Sequence, residues 1–236
     1  MKWNTSISQA QGDDRSIRGV SLSELIQKNT FTEAVFLLLS GKLPTDSERR
    51  VFDAMLTSAC EHGVEAPSAF VPRVSASVGN PLHVAVAAGI LSIGDFHGGA
   101  VESAAQLFKN RTSAKEVIES GERFPGFGHK VYKDVDPRAE LILSVAQSEG
   151  IAVEEIEHAR AIGKELALLT GKSLPLNIDG AFAALMLGLS LPPTMGKALF
   201  AFARMPGMIA HAYEESVNEK PYRRFEDTDV TYSGPQ

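Results

Sequence analysis

Cysteine, tryptophan and tyrosine are nearly missing from this chain, with one, one and four among 236 residues. The lone thiol, Cys60, excludes an internal disulfide and a cysteine-rich zinc site. Its setting, LTSACEHG, reads as a helix end where a small buried residue is expected. Few wide aromatic rings, a net charge of -6 and no basic run longer than Arg223-Arg224 argue against a nucleic-acid partner. No window of about 18 uninterrupted apolar residues offers a membrane span. The polar stretch from Met1 to Ser23 shows neither the charged-then-apolar layout of a secretion signal nor the arginine-rich layout of a presequence. A cytoplasmic protein that binds neither membrane nor nucleic acid is the expectation.

What the chain does have is helical periodicity, with 44% hydrophobic residues and no repeat, low-complexity tract or linker. Ile17 to Thr45 reads as two helices joined at Lys28-Asn29-Thr30, with Thr30 capping the second and Glu33 completing a capping box. Further helices are expected over Asp46 to Ala59, within the small-residue stretch Val74 to Ile93, and over Ala100 to Phe108, Ala139 to Ser148, Val153 to Leu169 and Ala181 to Leu189. His83, on an Ala- and Val-rich helix, reads as a packing histidine, and His158, among charges, as a solvated one.

Three segments carry chemistry. FPGFGHKVYKDVDPR, Phe124 to Arg138, uses Pro125, Gly126 and Gly128 to force a loop that presents His129, with Lys130, Lys133 and Arg138 nearby. An imidazole, a guanidinium and two ammonium groups in one segment suit an anionic ligand. GDFHGGAVESAA, Gly94 to Ala105, sets His97 just before a helix N-terminus, whose dipole disfavours imidazolium and favours negative charge on a ligand. A neutral histidine donating to a developing enolate fits there. TGKSLPLNIDG, Thr170 to Gly180, brings Asp179 to the start of a helix, where an aspartate is ordinarily an N-cap. Arg204 lies on a helix that is otherwise apolar and needs an acidic partner or an anionic ligand; His211 shares its face.

These motifs, with Arg18-Gly19 and Gly41-Lys42-Leu43-Pro44-Thr45, resemble the citrate synthase superfamily over roughly Arg18 to Pro235. The short His62-Gly63 form and Ile93-Gly94-Asp95 are most similar to its citryl-CoA lyase branch. The resemblance implies an all-α fold of one domain, with a large lobe from both chain ends and a small lobe over about residues 100–200. It implies a homodimer or higher oligomer in which one tail arginine, Arg223 or Arg224, reaches the neighbouring subunit. Catalytic roles fall on His97 (thioester enol), His129 (hydroxyl or carbonyl oxygen) and Asp179 (acetyl-methyl proton). His62, Arg138, Arg204 and a tail arginine would hold carboxylates, and Lys133 and Lys172 CoA phosphates.

The reaction implied is cleavage of citryl-CoA to acetyl-CoA and oxaloacetate, with His129 taking the hydroxyl proton and Asp179 returning one to the enol. CoA enters as a thioester substrate; no resident cofactor and no metal are expected. The alternatives are a compact citrate or 2-methylcitrate synthase, a lyase for another branched 3-hydroxyacyl-CoA, and a catalytically inactive subunit that binds CoA or citrate.

Overall fold

A computed structural model of the chain describes residues 2–235. Met1 and Gln236, the outermost residues of the expected domain, lie outside the described residues. The order of elements is β1 (Ser8–Gln11), β2 (Asp14–Ile17), β3 (Val20–Ser21), α1 (Leu22–Lys28), α2 (Phe31–Ser40), α3 (Asp46–Ala59), α4 (Pro67–Ser77), α5 (Leu82–Leu91), α6 (Ala100–Lys109), α7 (Ala114–Glu119), α8 (Pro137–Ser148), α9 (Val153–Thr170), α10 (Ile178–Gly188), a 3-10 turn at Pro193–Met195 and α11 (Gly196–Asn218). A second 3-10 turn, Asp227–Asp229, lies in the tail. Among the described residues no helix is long and apolar enough to cross a membrane. The fold is mostly helical. It forms two compact units: one comprises the chain through Ser58 together with Gly98–Phe200, the other Ala59–His97 together with the chain from Ala201 onward.

In the first unit α10 is the central element. Ala181 through Met186 are wholly buried, so this helix is apolar on every side and packs against α6, α8 and α9. Burying each large side chain there, such as Phe182 or Leu185, is worth about 1.5–3 kcal/mol. Phe36 and Phe52 meet edge to face at 5.3 Å between α2 and α3. The capping box expected at Thr30 and Glu33 is present at the start of α2. In the second unit α4 and α5 pack through small residues, and Ala76, Ala85 and Ala212 form a buried cluster.

Several sequence expectations need correction. The polar N-terminal stretch folds into an antiparallel sheet in the order β1-β2-β3, turned at Gly12, whose φ is +61°. Its strands are too short and polar to show a period of two. α8 begins at Pro137, two residues before the expected Ala139, and α10 begins at Ile178. His83 points into solvent, while His158 buries an unpartnered Nε2 against the edge of Phe108 at 5.9 Å. Burial first, then the charge of Arg111, lowers the pKa of His158 against the opposing pull of Glu155. Cys60 is partly exposed instead of buried.

Removing the Thr30 hydroxyl, by Thr30→Ala, is expected to lower stability by about 1 kcal/mol in chemical denaturation, the ordinary cost of losing an N-cap. A neutral result would mean that the cap is redundant with water.

Candidate active site

In the first unit the Phe124 to Arg138 loop is fastened to the start of α10 by backbone and side chain alike. Phe124, Phe127 and Phe108 cluster with ring centroids 5.6–6.3 Å apart, anchoring the loop in the core. The Gly128 N–H donates to the Pro175 carbonyl at 2.8 Å, and the Asn177 N–H to that of Gly126 at 3.0 Å. Phe127 and Leu176 form an antiparallel bridge. Such closeness needs glycine: a Cβ on Gly126, where φ is +85°, would lie 2.7 Å from the Gly180 Cα.

Asn177, and not Asp179, caps α10. Its Oδ1 accepts from the N–H groups of Asp179 (3.0 Å) and Gly180 (3.1 Å), while its Nδ2 donates to the Gly128 carbonyl at 2.9 Å. Asp179 therefore stands in the first helical turn and not at the cap.

Asp136 completes the fastening. It is fully buried, caps α8, and takes hydrogen bonds from Arg138 Nε (3.0 Å), Arg138 Nη2 (2.8 Å) and the Ile178 N–H (3.2 Å). Burial raises its pKa, but the Arg138 hydrogen bonds and charge outweigh this and hold the carboxyl below the usual range. Arg138 in turn lies 5.7 Å from the ring centroid of Tyr132, which stacks on His129 at 4.7 Å.

The hydrogen-bond pattern assigns the His129 tautomer. Its Nδ1 accepts from two backbone N–H groups, those of Val131 and Tyr132, both at 3.1 Å. The ring proton therefore resides on Nε2, 3.1 Å from Arg138 Nη2, a nitrogen that can only donate. Two N–H groups side by side form a cradle for one negatively charged oxygen. Lys133 turns back onto the carbonyls of Lys130 (2.9 Å) and His129 (3.4 Å), whereas Lys172 is exposed after α9.

The second unit holds the other imidazole. Gly94 and His97 exchange backbone hydrogen bonds of 2.9 and 3.1 Å across a tight turn, which fixes His97 on the chain. Its Nε2 lies 2.8 Å from Ser68 Oγ and 3.4 Å from the Ser68 N–H at the first turn of α4. Ser68 is wholly buried, and Arg204 Nη1 donates to its Oγ at 3.2 Å. With that oxygen receiving from a guanidinium, its own proton is directed at His97 Nε2, and the imidazole carries its hydrogen on Nδ1. Burial, then the positive charges of Arg204 and His62, hold the His97 pKa below the ordinary histidine range. His97, Arg204 and His62 are thus one electrostatic group, with Arg204 also bonded to the Ala59 carbonyl.

Arg223 is engaged elsewhere in this unit. Its Nε and Nη2 grip the buried carboxylate of Glu215 at 2.7 and 2.8 Å, a group shared with Arg73 at 2.8 Å. Arg224 is exposed. His211, on the same helix, pairs with Glu61 at 3.1 Å. Sequence reading missed Ser68, Asp136 and Glu215; only Pro67 and Pro137, each at the first position of a helix, marked the first two as lying beside helix starts.

Comparisons with known proteins converge. The family described as citrate synthase, C-terminal domain, matches residues 45–224. The solved citryl-CoA lyase from Hydrogenobacter thermophilus superposes with a TM-score of 0.94 at 38% identity, covering 99% of this chain and 95% of that one. The 2-methylcitrate synthase of Shewanella oneidensis is 32% identical over 79% of this chain and 52% of its own length. ATP-citrate synthase beta chain protein 1 of Arabidopsis thaliana is 28% identical over 97% of this chain and 42% of its own. The chain thus spans about half the length of these two curated relatives.

The His97 assignment is open to measurement by ring 15N NMR. At neutral pH the expected spectrum is an Nδ1–H tautomer that stays neutral as the pH drops below about 6.5, the ordinary histidine value. Because the fold disfavours the charged ring, the unfolded chain takes up the proton first. Stability from this group is therefore complete above the unfolded pKa and is lost as pH falls toward the folded one. Ser68→Ala should mix the tautomers; a His97 that titrates normally with no tautomer preference contradicts the assignment.

Proposed function

The chain belongs to the citrate synthase family, and we propose that within it the protein is a citryl-CoA lyase that releases acetyl-CoA and oxaloacetate from citryl-CoA. The observation that carries this reading is the pair of tautomers: the Ser68 contact leaves His97 its proton on Nδ1, and two backbone donors leave His129 its proton on Nε2. The close superposition on a citryl-CoA lyase, with a TM-score of 0.94 at 38% identity, supports cleavage over condensation.

In this reading the tertiary oxygen of citryl-CoA lies against His129 Nε2–H and Arg138 Nη2–H. Two donors make the alkoxide accessible, so His129 stabilises the oxyanion instead of taking the hydroxyl proton, which leaves to water. As the alkoxide becomes the keto oxygen of oxaloacetate, the carbon-carbon bond breaks and its electron pair enters the acetyl unit. His97 Nδ1–H holds the resulting enolate oxygen, and a protonated Asp179 delivers its proton to the methylene carbon. Arg204, His62 and Arg138 are the carboxylate holders. Exposed Lys172 is free to meet CoA phosphate, while Lys133 first has to leave the loop carbonyls. CoA is substrate only, and the working form is a homodimer in the cytoplasm.

A compact citrate or 2-methylcitrate synthase is the second reading, favoured by the 2-methylcitrate synthase relative. Pure protein should release acetyl-CoA from citryl-CoA and liberate no free CoA from acetyl-CoA with oxaloacetate. Free CoA from the latter selects the synthase, and CoA binding without turnover in either selects a non-catalytic subunit. Asp179→Asn should cut turnover by about 10²–10⁴ with ligand affinity nearly unchanged; a mild effect removes Asp179 from the mechanism.

For the tail, Arg224 is the arginine left to serve a neighbouring subunit, since Arg223 is bound to Glu215. Arg224→Ala is expected to raise KM without lowering the melting temperature. Arg223→Ala should do the opposite and lower the melting temperature, because it strips one of two arginines, the other being Arg73, from a buried carboxylate. The reverse pattern exchanges their roles.

A further inference from the structure

Among the described residues of the first unit, six helices close with a residue in the left-handed region, four of them through glycine: Gly41, Gly121, Gly150 and Gly171. The two exceptions are Arg111 after α6, with φ 55°, and Ser190 after α10, with φ 59°. Any residue with a Cβ resists that conformation, and glycine is the ordinary solution at a helix end. Both exceptions border one cavity of ≈ 320 Å³. Strain that persists in two residues and meets at one cavity is a mark of a site whose side chains are used.

The chemistry of the walls names the ligand class. Phe108, Leu187 and Leu191 make one side apolar, and Lys109, Arg111 and Ser190 supply an ammonium, a guanidinium and a hydroxyl. Carbonyls at both helix ends are already occupied: the Thr112 N–H donates to the Leu107 carbonyl at 3.0 Å, and the Leu191 N–H to that of Met186 at 2.9 Å. The cavity therefore offers donors. Its one acidic neighbour, Glu155, reaches Arg111 at 3.7 Å, with the arginine side chain half exposed, a weak pair that a ligand can displace. We propose that this cavity binds a small amphiphilic anion, a carboxylate or phosphate head on a short apolar body.

Its volume lies at the lower end of ordinary ligand pockets. The site lies beyond the C-terminus of α10, about 16 Å of helix away from Asp179, so a ligand there is not the substrate of the candidate active site. The proposal does not depend on which reaction the protein performs.

Titrations of the full chain with hexanoate, hexyl phosphate, hexanamide and acetate, read by the methyl resonances of Leu187 and Leu191, test it. Saturable shifts are expected with hexanoate or hexyl phosphate, and whichever binds more tightly identifies the head group. Hexanamide lacks the charge and acetate the apolar body, so each should bind at least about tenfold more weakly. Arg111→Gly and Ser190→Gly relieve the backbone, so both should raise the melting temperature by about 2 °C while weakening the anion about tenfold. No saturable shift with either anion up to on the order of 10 mM overturns the proposal, as does equal affinity for hexanamide. Full affinity in both glycine variants overturns it as well.

Discussion

The first unit depends on one buried carboxylate. Asp136 is withdrawn from water, which alone would drive it toward the neutral acid, and it remains ionised because three N–H donors from Arg138 and one from Ile178 surround it. The four donors serve three tasks. The backbone N–H of Arg138 starts α8, its guanidinium reaches His129, and the Ile178 N–H lies in the first turn of α10 beside Asp179. A single charge thus registers the loop histidine, the arginine and the helix that carries Asp179. Desolvation makes the arrangement all-or-none: with any one donor missing, the carboxylate becomes expensive and the register loosens.

The second unit solves a related problem with a hydroxyl. Ser68 Oγ is both acceptor and donor, so it can pass the directional preference of Arg204, which only donates, on to the imidazole of His97. The same guanidinium depresses basicity of that ring through its charge. Here geometry and electrostatics agree, which is why a neutral ring with a defined tautomer is the stable state. At His129 they act differently: two rigid backbone donors choose the tautomer, and the Arg138 guanidinium, held by Asp136, stands beside Nε2.

Helices were legible where periodicity and caps coincide. Thr30 with Glu33 announced α2, and Asp46 to Ala59 was read to the residue, because local hydrogen bonds decide those boundaries. Loop chemistry was legible as residue type, since Gly126, Gly128 and His129 carry their own signal. What stayed hidden depends on contacts across long separations. Asp136-Pro137 reads as a turn in isolation and is a helix start in the fold, because only the distant Ile178 N–H and the buried setting reveal what the carboxylate does. Ser68 has no local signature at all, its partner being 29 residues away. His83 and His158 exchanged their expected environments, since an alanine-rich helix can still turn one face to water and a charged one can hide one ring against Phe108.

Where Gly126 meets Gly180, backbone touches backbone with no side chain between them. Side-chain replacement, the usual means by which enzymes widen or narrow a pocket, has no atoms to work on at that seam. The separation between loop and helix is fixed by the dimensions of the peptide unit itself. A wider gap between the two would have to come from residues inserted into the loop, and not from swaps at this junction.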